Sequence, residues 1–162
     1  MKQILLLIGI FLSVSCSKAT HTGTIPSHNS SSTSVIDLSP TLQSQILGGE
    51  QHFAVYLPPS YATEPNKRYP VLYLLHGMNQ NYKSWINEGT LQAVADEVIA
   101  EGAKEMIIIC PDGFNSFYYN RPQIRYEDFF IQEFIPEIER RYRILSEKSH
   151  RNIAGLSMGG FG

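Results

Sequence analysis

Two apolar runs without alternation constrain this chain more than any other feature: Val71-Leu72-Tyr73-Leu74-Leu75 and Met106 to Cys110. A strand that is apolar at every position is buried on both faces, as strands are in a parallel sheet. Asn152-Ile153-Ala154 reads as a third, shorter buried strand. Between the first two, Leu91, Val94, Ala95, Val98 and Ile99 fall on one helical stripe. Thr90 is placed to cap that helix and Gly102 to end it. Between the second and third, Glu127 to Tyr142 reads as helical, with Phe130, Phe134, Ile138 and Tyr142 spaced by four. Pro136 should kink this helix or mark a break in it. Strand, helix, strand, helix, strand implies parallel pairing through right-handed crossovers, hence an α/β sheet with helices on both faces. Ahead of it, Thr41 to Leu47 and His52 to Leu57 read as extended runs around Gly48-Gly49, an antiparallel hairpin that Pro58-Pro59 stops.

The start of the chain reads differently. Met1-Lys2-Gln3 is a short basic opening, and Ile4 to Val14 is an almost unbroken apolar run. Its length suits a signal-peptide core and is short of the roughly 18 residues that cross a bilayer. Ser15-Cys16 follows, and small residues just before a cysteine resemble a bacterial lipoprotein cleavage site. Residues 1–15 are therefore expected to be a signal peptide, with lipid on Cys16 anchoring an exported protein to the membrane of the cell envelope. An ordinary secretory signal that happens to hold a cysteine is the plainer alternative. Residues 16–39, which include the polar run His28 to Ser34, read as a flexible tether. What remains, 40–162, has the size of one domain. Thirteen Lys and Arg against fifteen Asp and Glu give a net charge of -2, which speaks against nucleic-acid binding by bulk positive charge. Two cysteines, Cys16 and Cys110, rule out a disulfide-stapled scaffold. Cys110 reads as an inert buried thiol, and no Cys/His cluster has metal-ligand spacing.

The chemistry should lie in the loops that leave the carboxyl ends of the strands. Gly155-Leu156-Ser157-Met158-Gly159 follows the third strand and has the Gly-x-Ser-x-Gly form of a nucleophile elbow. There a serine sits on a sharp strand-to-helix turn, and the positions two residues to either side must lack bulk. Attack on a carbonyl creates an oxyanion, which needs about two preorganised N–H donors. Met158, the residue after the nucleophile, supplies one candidate donor. Met78, in the His76-Gly77-Met78 loop after the first strand, supplies the other. His76 reads as a brace of that loop, with a role as catalytic base the alternative. Phe114 to Tyr119 (FNSFYY) follows the second strand on the same side, placed either to stack on a sugar or phenolic ring or simply to pack the loop.

LYLLHG (72–77), YEDFFIQEFIPEIERRYRI (126–144) and NIAGLSMGG (152–160) resemble the putative-esterase family of α/β-hydrolases. The family includes feruloyl and acetyl-xylan esterases, S-formylglutathione hydrolases and mycolyl transferases. The resemblance covers about residues 40–162. It implies an α/β-hydrolase fold, a mostly parallel sheet, and a cofactor-free serine carboxyl-ester hydrolase acting on acyl or feruloyl esters of carbohydrates. It also implies a triad in the order Ser, Asp or Glu, His. No Asp, Glu or His follows Ser157 in this sequence. The expectation is an N-terminal fragment, truncated after the nucleophile strand, without the helix that should begin at Met158 and itself inactive. The alternative is a non-catalytic lipoprotein that binds carbohydrate or a partner through the same cleft.

Overall fold

The computed structural model describes residues 33–162. The segment expected to be a signal peptide, 1–15, and Cys16 lie outside the described residues. In chain order the strands and helices are β1 (Val35–Asp37), β2 (Thr41–Gln43), β3 (Glu50–Leu57), β4 (Val71–Leu75), α1 (Ser84–Asn87), α2 (Leu91–Ala100) and β5 (Ile107–Pro111). The short pair β6 (Asn120–Arg121) and β7 (Ile124–Arg125) follows. Then come α3 (Tyr126–Phe129), a π-helical turn (Phe130–Phe134), α4 (Ile135–Arg141), β8 (Arg151–Gly155) and α5 (Met158–Phe161).

The sheet is mixed and runs β1-β3-β5-β4-β8, with β2 also on β3. β5, β4 and β8 form its parallel half. β1, β2 and β5 all pair antiparallel with β3. The buried strands divide their side chains by parity, as a pleat requires. Phe53 and Val55, Val71, Tyr73 and Leu75, and Ile107 and Ile109 face Phe129, Phe134 and Ile138 of the α3–α4 segment. Ala54 and Tyr56, Leu74, and Ile108 and Cys110 face Leu91 and Ala95 of α2. Helices thus cover both faces, as the unbroken apolar runs require.

Several local expectations change. The strand expected over Thr41 to Leu47 stops at Gln43, because the chain curls around Glu133. That carboxylate accepts hydrogen bonds from the Ser44 hydroxyl (2.5 Å) and the N–H groups of Gln45 and Ile46 (3.1 and 3.2 Å). The turn closes through Gly48 and Gly49, both at positive φ. Part of the segment expected as a tether is ordered: β1 pairs with the far end of β3, and the Ser34 hydroxyl donates to Asp96 of α2 at 2.7 Å. Ordered structure therefore begins before residue 40. Thr90 does not cap α2 with its side chain but takes a left-handed conformation, φ 48°. The α2 stripe is narrower than its spacing suggested, with Val94 and Val98 exposed. Pro136 does mark an irregularity: it stands at the start of α4, directly after the π turn Phe130–Phe134, where the helix departs from regular α pairing.

The largest difference is at β8, which was expected to be buried. It is the last strand of the sheet, all five of its residues are exposed, and Ile153 is 59% accessible. Its run of apolar residues has β4 on one side and no strand on the other among the described residues. The helix after it, expected to be missing, is present as the single turn of α5.

Candidate active site

β8 and α5 meet at Ser157, which has φ 51° and ψ -111°. A side-chain-bearing residue enters this region at a cost of about 1–3 kcal/mol, and such strain gathers at functional sites. The crowding expected of an elbow is there. A Cβ on Gly155 would lie 2.3 Å from the Gly159 carbonyl oxygen, and one on Gly159 would lie 2.6 Å from that of Leu75. Only glycine fits at either position. The turn is held by Leu156 N–H donating to Leu75 O (3.2 Å) and Gly159 N–H to Leu156 O (2.9 Å). Ser157 is exposed, while Met158 is buried as an anchor in the core below.

The His76 loop leaves β4 directly beside the elbow. A Cβ on Gly77 would come within 3.6 Å of the Leu156 carbonyl oxygen. His76 is buried and both ring nitrogens are engaged. Nε2 accepts the Gly113 N–H at 2.8 Å, so the proton sits on Nδ1, which donates to Gly77 O at 2.7 Å. The ring therefore braces two strand-end loops against each other and offers no nitrogen to Ser157. Gln80 Oε1 accepts the Gly77 N–H at 2.7 Å, and Trp85 Nε1–H donates to Leu75 O at 3.2 Å. Neither the Met78 nor the Met158 N–H donates to any group among the described residues. Both remain available, on the two loops that the structure sets side by side.

The loop after β5 completes the floor. Asn79 and Asn115 bond reciprocally, N–H to Oδ1 at 2.8 Å and Nδ2 to Oδ1 at 3.0 Å, and so tie it to the His76 loop. Tyr118 is buried edge-on against His76, and its hydroxyl donates to His76 O at 3.0 Å. Burial pushes its pKa well up, so it stays a neutral donor. The aromatic run thus divides. Tyr118 packs the loop, Phe114 and Tyr119 are exposed, and the Arg121 guanidinium lies 4.9 and 4.8 Å from the Phe117 and Tyr119 ring centres.

The remaining candidates lie elsewhere. His52 stacks on Tyr82 on β3, and His150 precedes β8 at the opposite end of the sheet beside Glu147. Cys110 is buried in β5, and burial raises its thiol pKa to about 12. No cluster of three or more His, Cys, Asp or Glu is placed to hold a metal among the described residues. Asn79, Gln80 and Asn115 lie in strand-end loops legible in the sequence, but their bonds across those loops leave no pattern in it, and neither does the bond of Trp85 from α1 to Leu75. A small recess of about 190 Å³ opens between Gln80, Trp85, Glu88 and Leu156.

A mixed sheet covered on both faces, with a strained serine between a strand and a helix at its carboxyl edge, defines the α/β-hydrolase fold. Residues 44–162 match the Esterase family, described as putative esterase, and the chain belongs to that family. It is 36% identical over 129 residues to an endo-1,4-beta-xylanase/feruloyl esterase of Xylanibacter ruminicola, covering 74% of this chain and 18% of that one. It is 34% identical over 128 residues to an esterase of Mycobacterium tuberculosis, covering 74% of this chain and 26% of that one. Among solved structures it is similar to a ferulic acid esterase, with a TM-score of 0.76 and 40% identity over 80% of this chain and 50% of that one. A CE1 ferulic acid esterase from the anaerobic fungus Anaeromyces mucronatus has a TM-score of 0.64 and 29% identity, over 78% of this chain and 50% of that one. The chain spans about half the length of these structures and about a quarter or less of these curated relatives.

Proposed function

We propose that the protein is a serine carboxyl-ester hydrolase acting on acyl or feruloyl esters of carbohydrates. The observation that carries this reading is the exposed Ser157 at φ 51° on a turn that only glycines can flank. Ser157 Oγ attacks the ester carbonyl, and the Met78 and Met158 N–H groups hold the oxyanion of the tetrahedral intermediate. The bond to the alcohol oxygen then breaks, and the proton taken from Ser157 goes to the departing alcohol. Water attacks the acyl-serine, releases the acid and restores the hydroxyl. The named activities of the similar proteins, xylanase and feruloyl esterase, support a carbohydrate alcohol and a phenolic acyl group.

The general base and its carboxylate are assigned to residues outside the described ones: both His76 ring nitrogens are engaged, His52 stacks on Tyr82, and His150 lies at the opposite end of the sheet. The region 40–162 is then the N-terminal part of the catalytic domain. This 162-residue polypeptide should hydrolyse an activated acetate ester no faster than its Ser157→Ala variant. Serine-dependent turnover well above the variant would mean that a base exists within it, with His76 the first to replace. The engaged His76 also favours a second reading, a non-catalytic protein that binds carbohydrate through the same cleft. Export and a lipid anchor on Cys16 complete the proposal. Detergent-phase partition and lipid labelling that Cys16→Ala abolishes are expected, and a mature chain starting elsewhere would refute the anchor.

A further inference from the structure

A second cleft, of about 410 Å³, opens at the same edge of the sheet between the Gly48-Gly49 turn, the start of the β5 loop and the β6–β7 turn. Its volume falls in the range of small-ligand sites, about 300–1,000 Å³. Gln51, Phe114, Pro122, Gln123 and Arg125 are among the residues lining it. Gln51 is 6% exposed. Its Nε2 donates to Gly48 O at 3.0 Å, but its Oε1 has no hydrogen-bond partner among the described residues. A buried carbonyl oxygen without a donor is destabilising, and a ligand that brings a donor recovers the loss.

The chemistry of the lining selects the ligand. Phe114 is 44% exposed and is held at φ 50°, with its N–H bonded to the Asp112 carboxylate at 3.0 Å. It offers a fixed aromatic face to an apolar ring surface. Gln123 adds an exposed amide. Arg125 is already neutralised by Asp128, Nε to Oδ2 at 2.7 Å. No carboxylate lines the cleft. An unpaired acceptor, an aromatic face, amides and no free charge suit a neutral polyol ring rather than an anion.

The position suits a long substrate. Gln51 lies beyond the level at which Phe53 pairs with Pro111, so it stands at the carboxyl edge of β5. From β8 to β3 is three strand intervals, or about 14 Å at the usual spacing. A chain whose ester sits at Ser157 can therefore lie across the strand ends and reach this cleft. We infer that the cleft is a distal subsite for a neutral glycan chain, with Gln51 Oε1 accepting a sugar hydroxyl and Phe114 stacking on a pyranose ring. This inference deepens the carbohydrate-ester reading and rests on it.

The test uses an unesterified sugar, so it does not depend on turnover. Xylohexaose is titrated into the isotope-labelled 162-residue chain and followed by NMR. Shifts should concentrate at Gln51, Phe114 and Gln123, and Phe114→Ala and Gln51→Leu should each weaken binding at least tenfold. Gln123→Ala, an exposed change that leaves the turn bonds intact, should weaken it severalfold and guards against a folding defect. Equal binding by the variants, shifts centred on the Gln80–Trp85 recess, absence of binding, or equal binding of polygalacturonate would each overturn the inference. If xylohexaose binds as described but no form of the protein shows serine-dependent ester turnover, the subsite stands and the hydrolase reading falls.

Discussion

Ser157→Gly should be more stable than Ser157→Ala. The backbone at Ser157 has φ 51° and ψ -111°, which costs a side-chain-bearing residue about 1–3 kcal/mol. Alanine keeps the Cβ and therefore the strain. It loses only an exposed hydroxyl that accepts and donates no side-chain hydrogen bond among the described residues, so it should lie within about 0.5 kcal/mol of the parent. Glycine removes the strain but adds about 0.5–1 kcal/mol of unfolded-chain entropy. The net gain of glycine over alanine is about 0–2.5 kcal/mol. Urea unfolding of the two variants measures it, as a higher midpoint at unchanged slope. Gly155→Ala is the opposing control: its Cβ would lie 2.3 Å from the Gly159 carbonyl oxygen, so the turn must open and stability must fall. If the glycine variant proved less stable than the alanine variant by the entropy cost alone, about 0.5–1 kcal/mol, the turn would hold no strain and the geometric case for a nucleophile would fail.

Three further outcomes are expected. Hydrogen bonds from Arg140, and then from Arg141, hold the Glu137 carboxyl down to about 2 against a burial that would raise it. A lowered folded-state pKa stabilises above the unfolded value and is lost as pH falls through the folded one. Stability should therefore decline between about pH 5 and pH 2, and Glu137→Gln should flatten that decline; superimposable profiles would refute it. Cys110, with its thiol raised to about 12 by burial, should resist iodoacetamide in the folded protein at pH 8 and react in urea, and labelling without denaturant would refute its burial. The exposed β8 and α5 residues Ile153, Leu156 and Phe161 should make the isolated polypeptide bind hydrophobic dyes. Polar replacement of Ile153 and Phe161 should reduce the signal, and no change would locate the sticky surface elsewhere.

The sequence shows the parallel half of the sheet because apolar runs at Val71 to Leu75 and Met106 to Cys110 have one physical explanation, burial on both faces. The same logic misleads at β8. Ile153 is apolar, but its burial depends on what packs beyond it, and a residue's identity does not report its neighbours. The elbow is legible because sterics demand glycine at fixed spacing from Ser157. The His76 brace is legible because an early strand ending in His-Gly leads into it. Glu133 holding the Ser44 turn, the Asn79–Asn115 tie and the Gln51 cleft are not legible. Each joins residues 36 or more positions apart or depends on a missing partner, and neither leaves a periodic trace. The short strand β1 escapes notice because three residues in a polar stretch are ordered by the edge of β3 and by Asp96, not by their own propensity.

Ser157 is proposed as the nucleophile of an ester hydrolase. Its most direct test is hydrolysis of a feruloylated arabinoxylan oligosaccharide by the protein in its natural full-length form and by the Ser157→Ala variant of that form. Loss of a serine nucleophile that acts with its base costs on the order of a millionfold in kcat, with the residue of rate left to the oxyanion donors and binding. A loss of that order is expected, with the sugar still bound. Turnover by the alanine variant within tenfold of the parent would contradict it.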